Sequence, residues 1–484
     1  MRKLTIDNVR EQVMGIEARV PLLDGSQRQY VNLDNAASTP ALRPVHDKVS
    51  EFMTWYASVH RGTGFKSQIA TEAYDLAHDL VACFVGADPA TNTVILGKNT
   101  TEAINKLARR YPLEPGDVVL CSLMEHHSND LPWRQHAELY HVGVRGDGTL
   151  DEADFDRLLD EHKGKVRLVA VSGASNVTGT LNPIHRLAEK THAAGARILV
   201  DAAQLAPHRA INVRPDDDPA HLDFVALSAH KMYAPYGTGA LVGPVEFFAQ
   251  GTPDMVGGGT VDIVTVDDVK WAGPPDRDEA GSPNVVGAVA MAQAILSLLE
   301  IGMDALAEHE AELTAHALRG LQQIDGVELY GLTDPERVTE RVGVIPFNVR
   351  GVDHYKVAAV LSFEGGIGVR NGCFCAHPYI LHLLDVGAHE ALRHQQDILN
   401  GTRVGLPGLV RISFGCYNTI EEVDHMIEML ARIAVGEERG EFDQNPASGA
   451  YWPRGWAPDY ERYFTLQPGL AALPRQAGMP RCGV

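Results

Sequence analysis

Lys231 stands in the run Ser228-Ala229-His230-Lys231, directly after the apolar stretch DFVALS (Asp223–Ser228). A partly buried lysine amine is the side chain that condenses with carbonyl compounds, and the hydroxyl and imidazole beside it can hold an anion. A lysine after a strand is usually a solvated loop charge. Here its neighbours, and the tight MYAPYGTGALVG that follows, favour the chemical reading. Asp201 closes RILVD (Arg197–Asp201), with Gln204 three residues on. A carboxylate at a strand end either caps the next helix or keeps a heterocyclic nitrogen protonated, and an amide can reach a ring hydroxyl. Asn99-Thr100-Thr101-Glu102 opens a helix after a strand, which suits either a plain helix cap or an anion site built on N–H groups and hydroxyls. His126, in EHHSN, can stack on a ring and move protons near neutral pH, although a single histidine is more often structural and His127 beside it leaves the choice open.

A second group lies far downstream. Cys373-Phe374-Cys375 sits in GVRNGCFCAHPY, close to Arg370, whose charge can favour a reactive thiolate. Buried cysteines also serve as small apolar residues. No second cysteine pair lies near enough to complete a zinc set, so no metal is expected. Arg411, in LVRIS, is placed either for a structural ion pair or for a bidentate grip on a carboxylate. An aldehyde-capturing lysine, a carboxylate for a ring nitrogen and a phosphate cradle are the requirements of pyridoxal 5'-phosphate. That is the expected cofactor, carried on Lys231.

These groups need a scaffold. From about Val31 to Gly302 short continuous apolar runs alternate with helical stretches: TVIL, DVVLCS, VRLVAVS, RILVD and DFVALS each precede a polar strand end. That rhythm predicts an α/β fold with a mainly parallel sheet covered on both faces, and ligands in such sheets bind beyond the carboxyl ends of the strands. After Ile301 the pattern becomes that of a smaller α+β domain. The expected divisions are an N-terminal arm (1–30), a large cofactor-binding domain (31–302), a small C-terminal domain (303–438) and a tail (439–484) of irregular structure packed on the body or partly disordered.

Composition narrows the partners. The 484 residues carry a net charge of −21, which argues against nucleic acid or an anionic membrane as the main partner. The run Val285–Leu299 is apolar but short for a membrane span and is expected to be a buried helix. Six cysteines are too sparse for a disulfide framework, the N-terminus lacks the apolar core of a signal peptide, and a cytoplasmic location is expected. Dinucleotide, P-loop, nucleophile-elbow and zincin motifs are absent.

The runs LDNAAST, SVHRG, NTTEAIN, MEHHSNDLPW, SNVTGTLNP, VDAAQ, LSAHKMYAPYGTGAL, AGSPN, GIGVRNGCFCAHP and VRISFGCYNTIEEVD, in this order over about residues 30 to 435, resemble the class V aminotransferase family, in its cysteine desulfurase and selenocysteine lyase branch. The resemblance implies the fold-type I architecture of pyridoxal-phosphate transferases and a homodimer. It assigns Lys231 the covalent bond to cofactor, Asp201 the pyridine nitrogen, Gln204 and Asn176 contacts near the ring hydroxyl and substrate, and His126 the stacking position. Thr100, Thr101, Ser228 and His230 correspond to phosphate contacts, and Ser282 to a phosphate contact made across the dimer. Cys375 corresponds to the cysteine that takes sulfur as a persulfide, and Arg411, with Arg370 nearby, to the grip on the substrate carboxylate.

Three features depart from that pattern: Gly64 replaces a common histidine, Cys373 and Phe374 precede the reactive cysteine where histidines are usual, and the Cys375–Arg411 link carries an extra helical stretch with RHQQDILNG. The expectation is a desulfurase-like enzyme that turns L-cysteine into L-alanine and a persulfide on Cys375, with a sulfur-acceptor protein as its partner. The alternative is an aminotransferase, epimerase or lyase acting on another amino acid, which would not need Cys375. A cofactor-binding scaffold without turnover would need neither Lys231 nor Asp201.

Overall fold

The structure, a computed structural model, describes residues 3–60 and 62–466. Arg61 of the SVHRG run, Cys482 and the tail beyond 466 lie outside the described residues.

Seven strands form the main sheet: β1 (Asn92–Gly97), β2 (Val118–Ser122), β3 (Glu138–Val142), β4 (Val166–Ser172), β5 (Arg197–Asp201), β6 (Phe224–Ser228) and β7 (Gly239–Pro244). Their order is β1-β7-β6-β5-β4-β2-β3, with β7 antiparallel to both neighbours and the other pairings parallel. Alternate side chains of one strand enter two separate cores, as strand pleating requires. Leu120, Val169, Val200 and Leu227 face one side, and Val119, Leu168, Leu199 and Ala226 the other. Burial on both faces is why these strands read as unbroken apolar runs.

Helix Val285–Ile301, apolar on nearly every side, packs against helices Arg43–Met53 and Phe65–Phe84 within the first core. Ala288, Met291, Ala294 and Leu298 are fully buried there. At about 1.5–3 kcal/mol for each large apolar side chain removed from water, this helix anchors the first core. Among the described residues no single helix is long and apolar enough to cross a membrane.

Two strands escape the sequence pattern. β3 (ELYHV) is a largely polar edge strand, and β7 (GALVGP) is broken up by two glycines and a proline. Gly239 of β7 has a packing reason: a Cβ there would stand 2.5 Å from the Leu227 carbonyl oxygen and 2.6 Å from Asn99 Cα. The bare backbone lets the segment before helix Thr100–Arg110 close onto the sheet.

The smaller unit has an antiparallel sheet of β8 (Val327–Leu329), β9 (Val344–Val349), β10 (Arg370–Gly372) and β11 (Leu409–Ser413), ordered β8-β9-β11-β10. Helices Met303–Leu321, His354–Gly365 and Ile420–Ala434 cover it. The last begins with a reciprocal Thr419–Glu422 capping box. Val31–Asn32 pairs in parallel with Ile367–Gly368, and Val31 and Leu33 are buried in this second core. The extra stretch after Cys375 forms helix Ala388–Leu399, none of whose residues is buried. In the described part of the tail, Phe442–Gln444 and Tyr451–Pro453 form a hairpin, with Trp452 and Trp456 against Phe363.

Candidate active site

Five carboxyl ends of co-directional strands open onto one cavity of about 360 Å³. β1 delivers Thr100 and Thr101, β2 His126, β4 Asn176, β5 Asp201 and Gln204, and β6 Ser228, His230 and Lys231; the small domain adds Arg370, Cys375 and Arg411. Of the residues that the resemblance assigns a contact with cofactor or substrate, Ser282 alone is not on this wall. It lies exposed on a loop.

Lys231 is half-buried, and its Nζ donates to Gln204 Oε1 at 3.3 Å. Burial pushes the amine down to about 8, with the Asp201 carboxylate working against that shift. Gln204 is itself oriented: its Nε2 lies 3.1 Å from His208 Nε2, and His208 Nδ1 lies 2.6 Å from Glu310 Oε1. Asp201 accepts the Ala203 N–H at Oδ1 (2.9 Å), and burial raises its carboxyl against the opposing effects of that bond and of Lys231. A cationic ring nitrogen is the partner such a buried carboxylate lacks.

His126 is fixed as a neutral ring. The Ser128 backbone N–H donates to its Nδ1 at 3.1 Å, so the proton sits on Nε2. Burial and then the Lys231 charge push its pKa to about 3. Below it, the fully buried Glu125 accepts from Ser172 N–H (2.9 Å), Ser172 Oγ (2.6 Å), Asn129 Nδ2 (2.7 Å) and Ser122 Oγ.

At the anion end, Thr100 N–H donates to Ser228 Oγ (2.8 Å) and Thr101 Oγ1 pairs with Ser128 Oγ (2.7 Å). Thr100 Oγ1 is buried with no partner. An orphaned hydroxyl at the N-terminus of an eleven-residue helix, beside Ser228 and His230, fits a phosphate. The donor set therefore suits pyridoxal phosphate at both ends.

Cys375 is exposed at the mouth, on a turn where Phe374 (φ 48°) and Cys375 (φ 56°) both take left-handed conformations. Two non-glycine residues in that region store strain, which packing must hold. Here the Cys375 carbonyl accepts from His127 N–H (2.7 Å), and the Phe374 carbonyl accepts from Asn176 Nδ2 (2.8 Å). Cys373 turns inward, and burial pushes its thiol up to about 11. Arg411 donates through Nη1 to the Asn176 carbonyl (2.9 Å), and its guanidinium lies 4.8 Å from the centre of the Phe374 ring.

Asp34, Ser128, Phe374, Glu125 and His208 belong to this machinery but were given no role in the sequence reading. Asp34 and Ser128 lie inside recognised runs, so a signal was present; nothing local marks His208.

The profile of the aminotransferase class-V family matches residues 31–426. A probable cysteine desulfurase of Halobacterium salinarum is 36% identical over 443 residues, covering 89% of this chain and 97% of its own. A cysteine desulfurase of Dickeya dadantii is 35% identical over 431 residues, covering 86% and 96%. Among solved structures, the apo cysteine desulfurase of Thermococcus onnurineus superposes with a TM-score of 0.76 at 31% identity, covering 90% of this chain and 99% of that one.

Proposed function

The chain belongs to the class-V aminotransferase family, and on that premise we propose that it is a pyridoxal-phosphate-dependent cysteine desulfurase that leaves the sulfur of L-cysteine on Cys375 and releases L-alanine. The observation that carries this reading is the exposed Cys375 thiol, held on a strained turn at the wall shared with Lys231, Asp201 and Arg411. Aminotransfer, epimerisation or a lyase step would leave that turn without a purpose.

Thr100, Thr101, Ser228 and His230 would hold the phosphate, Asp201 the ring nitrogen, Gln204 the ring hydroxyl and His126 the ring face. The bound cofactor supplies an electron sink for charge developing at the substrate α-carbon. Arg411 orients the substrate carboxylate with its planar fork. Lys231, lowered to about 8, carries a neutral amine fraction near physiological pH and takes the α-proton. The substrate carbon–sulfur bond breaks as a bond forms between that sulfur and Cys375 Sγ. The carbon gains a proton, so the amino acid leaves as alanine and the sulfane sulfur stays on the protein.

The same reading includes a homodimer and a sulfur-acceptor protein. Ser282 stands away from its own cavity, and the hairpin Val261–Val264/Val269–Trp271 exposes Ile263, Val264 and Val266; both support a second subunit. A cytoplasmic site of action and no nucleic-acid or membrane partner complete the proposal, consistent with the charge of −21. Incubation with ³⁵S-cysteine tests the central claim. One label per chain that is released by reductant, with alanine formed in equal amount, is expected; turnover with no label on Cys375 refutes it.

A further inference from the structure

Three residues on the far rim of the main sheet have no part in this chemistry. His192 lies in the last turn of helix Ile184–Ala193, Asp223 immediately precedes β6, and His221 lies two residues before Asp223. β6 spans five residues at about 3.3 Å each, so this rim lies on the order of 16 Å from Ser228 and the cofactor cavity.

We propose that His192, His221 and Asp223 form a binding site for one divalent transition-metal ion of the zinc type. Their ligand atoms all lie within 4.8 Å of one another. His192 Nε2 is 2.8 Å from Asp223 Oδ2 and His221 Nε2 is 3.7 Å from Oδ1. Bonds of about 2.0–2.1 Å in a tetrahedral site put neighbouring ligand atoms about 3.4 Å apart, so only small side-chain adjustments are required.

The arrangement behind the ligands is what separates this cluster from an ordinary ion pair. His192 Nδ1 lies 2.7 Å from the Pro219 carbonyl oxygen, and His221 Nδ1 lies 2.7 Å from that of Asp218. A carbonyl can only accept, so each ring keeps a proton on Nδ1 and aims Nε2 at the same carboxylate, where it donates when protonated and is free to bind an ion when not. Metal-binding histidines are held in this way, with the outer nitrogen donating to a backbone carbonyl. The two rings stack at 4.2 Å. Protonating both to satisfy Asp223 would stack two cations, whereas one metal ion between the three groups removes that conflict.

Two neighbours limit the geometry. Ile198 N–H already donates to Oδ2 at 2.8 Å, and Arg197 Nε stands 3.7 Å from Oδ1, so the ion must displace or tolerate the arginine. Both imidazoles are partly exposed, leaving water a fourth position. The other grouping of this kind among the described residues, Cys121, Asp130 and His141, is already committed: Arg134 takes both oxygens of Asp130. An ion at the far rim would tie the 215–223 loop to the end of helix Ile184–Ala193, a structural role outside the reaction.

Full-length holoenzyme, stripped with chelator, is titrated calorimetrically with zinc chloride beside His221→Ala and His221→Gln. Asp223 is left intact because it also holds the Ile198 N–H. The wild type is expected to take up one tight equivalent more than either variant, the variants' affinity at that site falling by more than about 100-fold. Cobalt(II) should give the wild type a visible d–d absorption without thiolate bands, lost in both variants. Unchanged cofactor absorbance and alanine production show that the variants are folded. Equal stoichiometry and equal cobalt spectra in all three proteins, or no tight zinc in the wild type, overturn the site.

Discussion

Arg411 donates from Nη2 to Asp34 Oδ1 at 3.0 Å while its buried Nε has no acceptor at all. The second Asp34 oxygen lies 2.8 Å from Arg370 Nη2, so one carboxylate bridges both arginines at the cavity mouth. A substrate carboxylate can satisfy Nε, but it must do so beside a carboxylate already present. Asp34 thereby sets the orientation of the guanidinium before substrate arrives.

Substituting this arginine should therefore be costly even with another cation. Removing one member of a buried, hydrogen-bonded charge pair costs about 2–5 kcal/mol. Arg411→Ala is expected to lower kcat/KM for cysteine at least about 30-fold, by the same free energy expressed as a rate ratio. Arg411→Lys should recover only part of this, since a point charge cannot replace the planar fork. Steady-state kinetics with alanine as the readout decide the matter, and a wild-type KM in Arg411→Lys would contradict the assignment.

The two neighbouring cysteines should behave differently. Cys375 is exposed, whereas the Cys373 thiol is pushed up to about 11 by burial and stays protonated at neutral pH. Cys375→Ser is expected to abolish alanine formation with reductant present; Cys373→Ser should retain it within about threefold, a change of well under 1 kcal/mol in the barrier. Mass spectrometry of the trapped persulfide locates the sulfur, and a persulfide found on Cys373 first would reverse the order.

Cofactor capture by the apoprotein should follow the state of the amine. Lys231 must be neutral to attack an aldehyde, and its pKa is about 8. The capture rate is expected to rise about tenfold per pH unit below that value and level off above it. The shift also makes a stability statement: between about 8 and the unfolded value near 10.4 the unfolded chain binds more protons, so this residue makes stability rise with pH across that window. A stopped-flow capture rate independent of pH from 6.5 to about 9 would remove the amine from the step.

Glu125 underlies His126 without touching the cavity. Both its oxygens face obligate donors, Ser172 N–H at one and Asn129 Nδ2 at the other, and Asn129 Oδ1 is taken by Trp133 Nε1 at 3.2 Å. Glu125→Gln sets an N–H against one of those donors and should cost about 1–3 kcal/mol of stability. Burial pushes the Glu125 carboxyl up to about 7, so its contribution is fully present below about 4.5 and is lost as pH rises through about 7. Denaturant melts of wild type and variant from pH 4.5 to 8 test both points; identical curves would show that the network carries no energy.

The sequence by itself determined the class of fold and which strand ends carry the polar side chains of the cavity. β4 and β5 are apolar on both faces because both are buried, and burial on both sides writes a continuous signal into the local text. Asp201 ends such a strand and Lys231 closes the turn that follows another, so their placement at one rim follows from strand direction. Tertiary structure alone decided what depends on approach from distant segments: the Asp34 bridge between Arg370 and Arg411, the His208 and Glu310 support of Gln204, the antiparallel β7, and the left-handed turn that presents Cys375. Each joins residues far apart in the chain whose local surroundings suit many outcomes. A side chain's partner is fixed by packing of the whole, and that information is spread over the fold rather than written beside the residue.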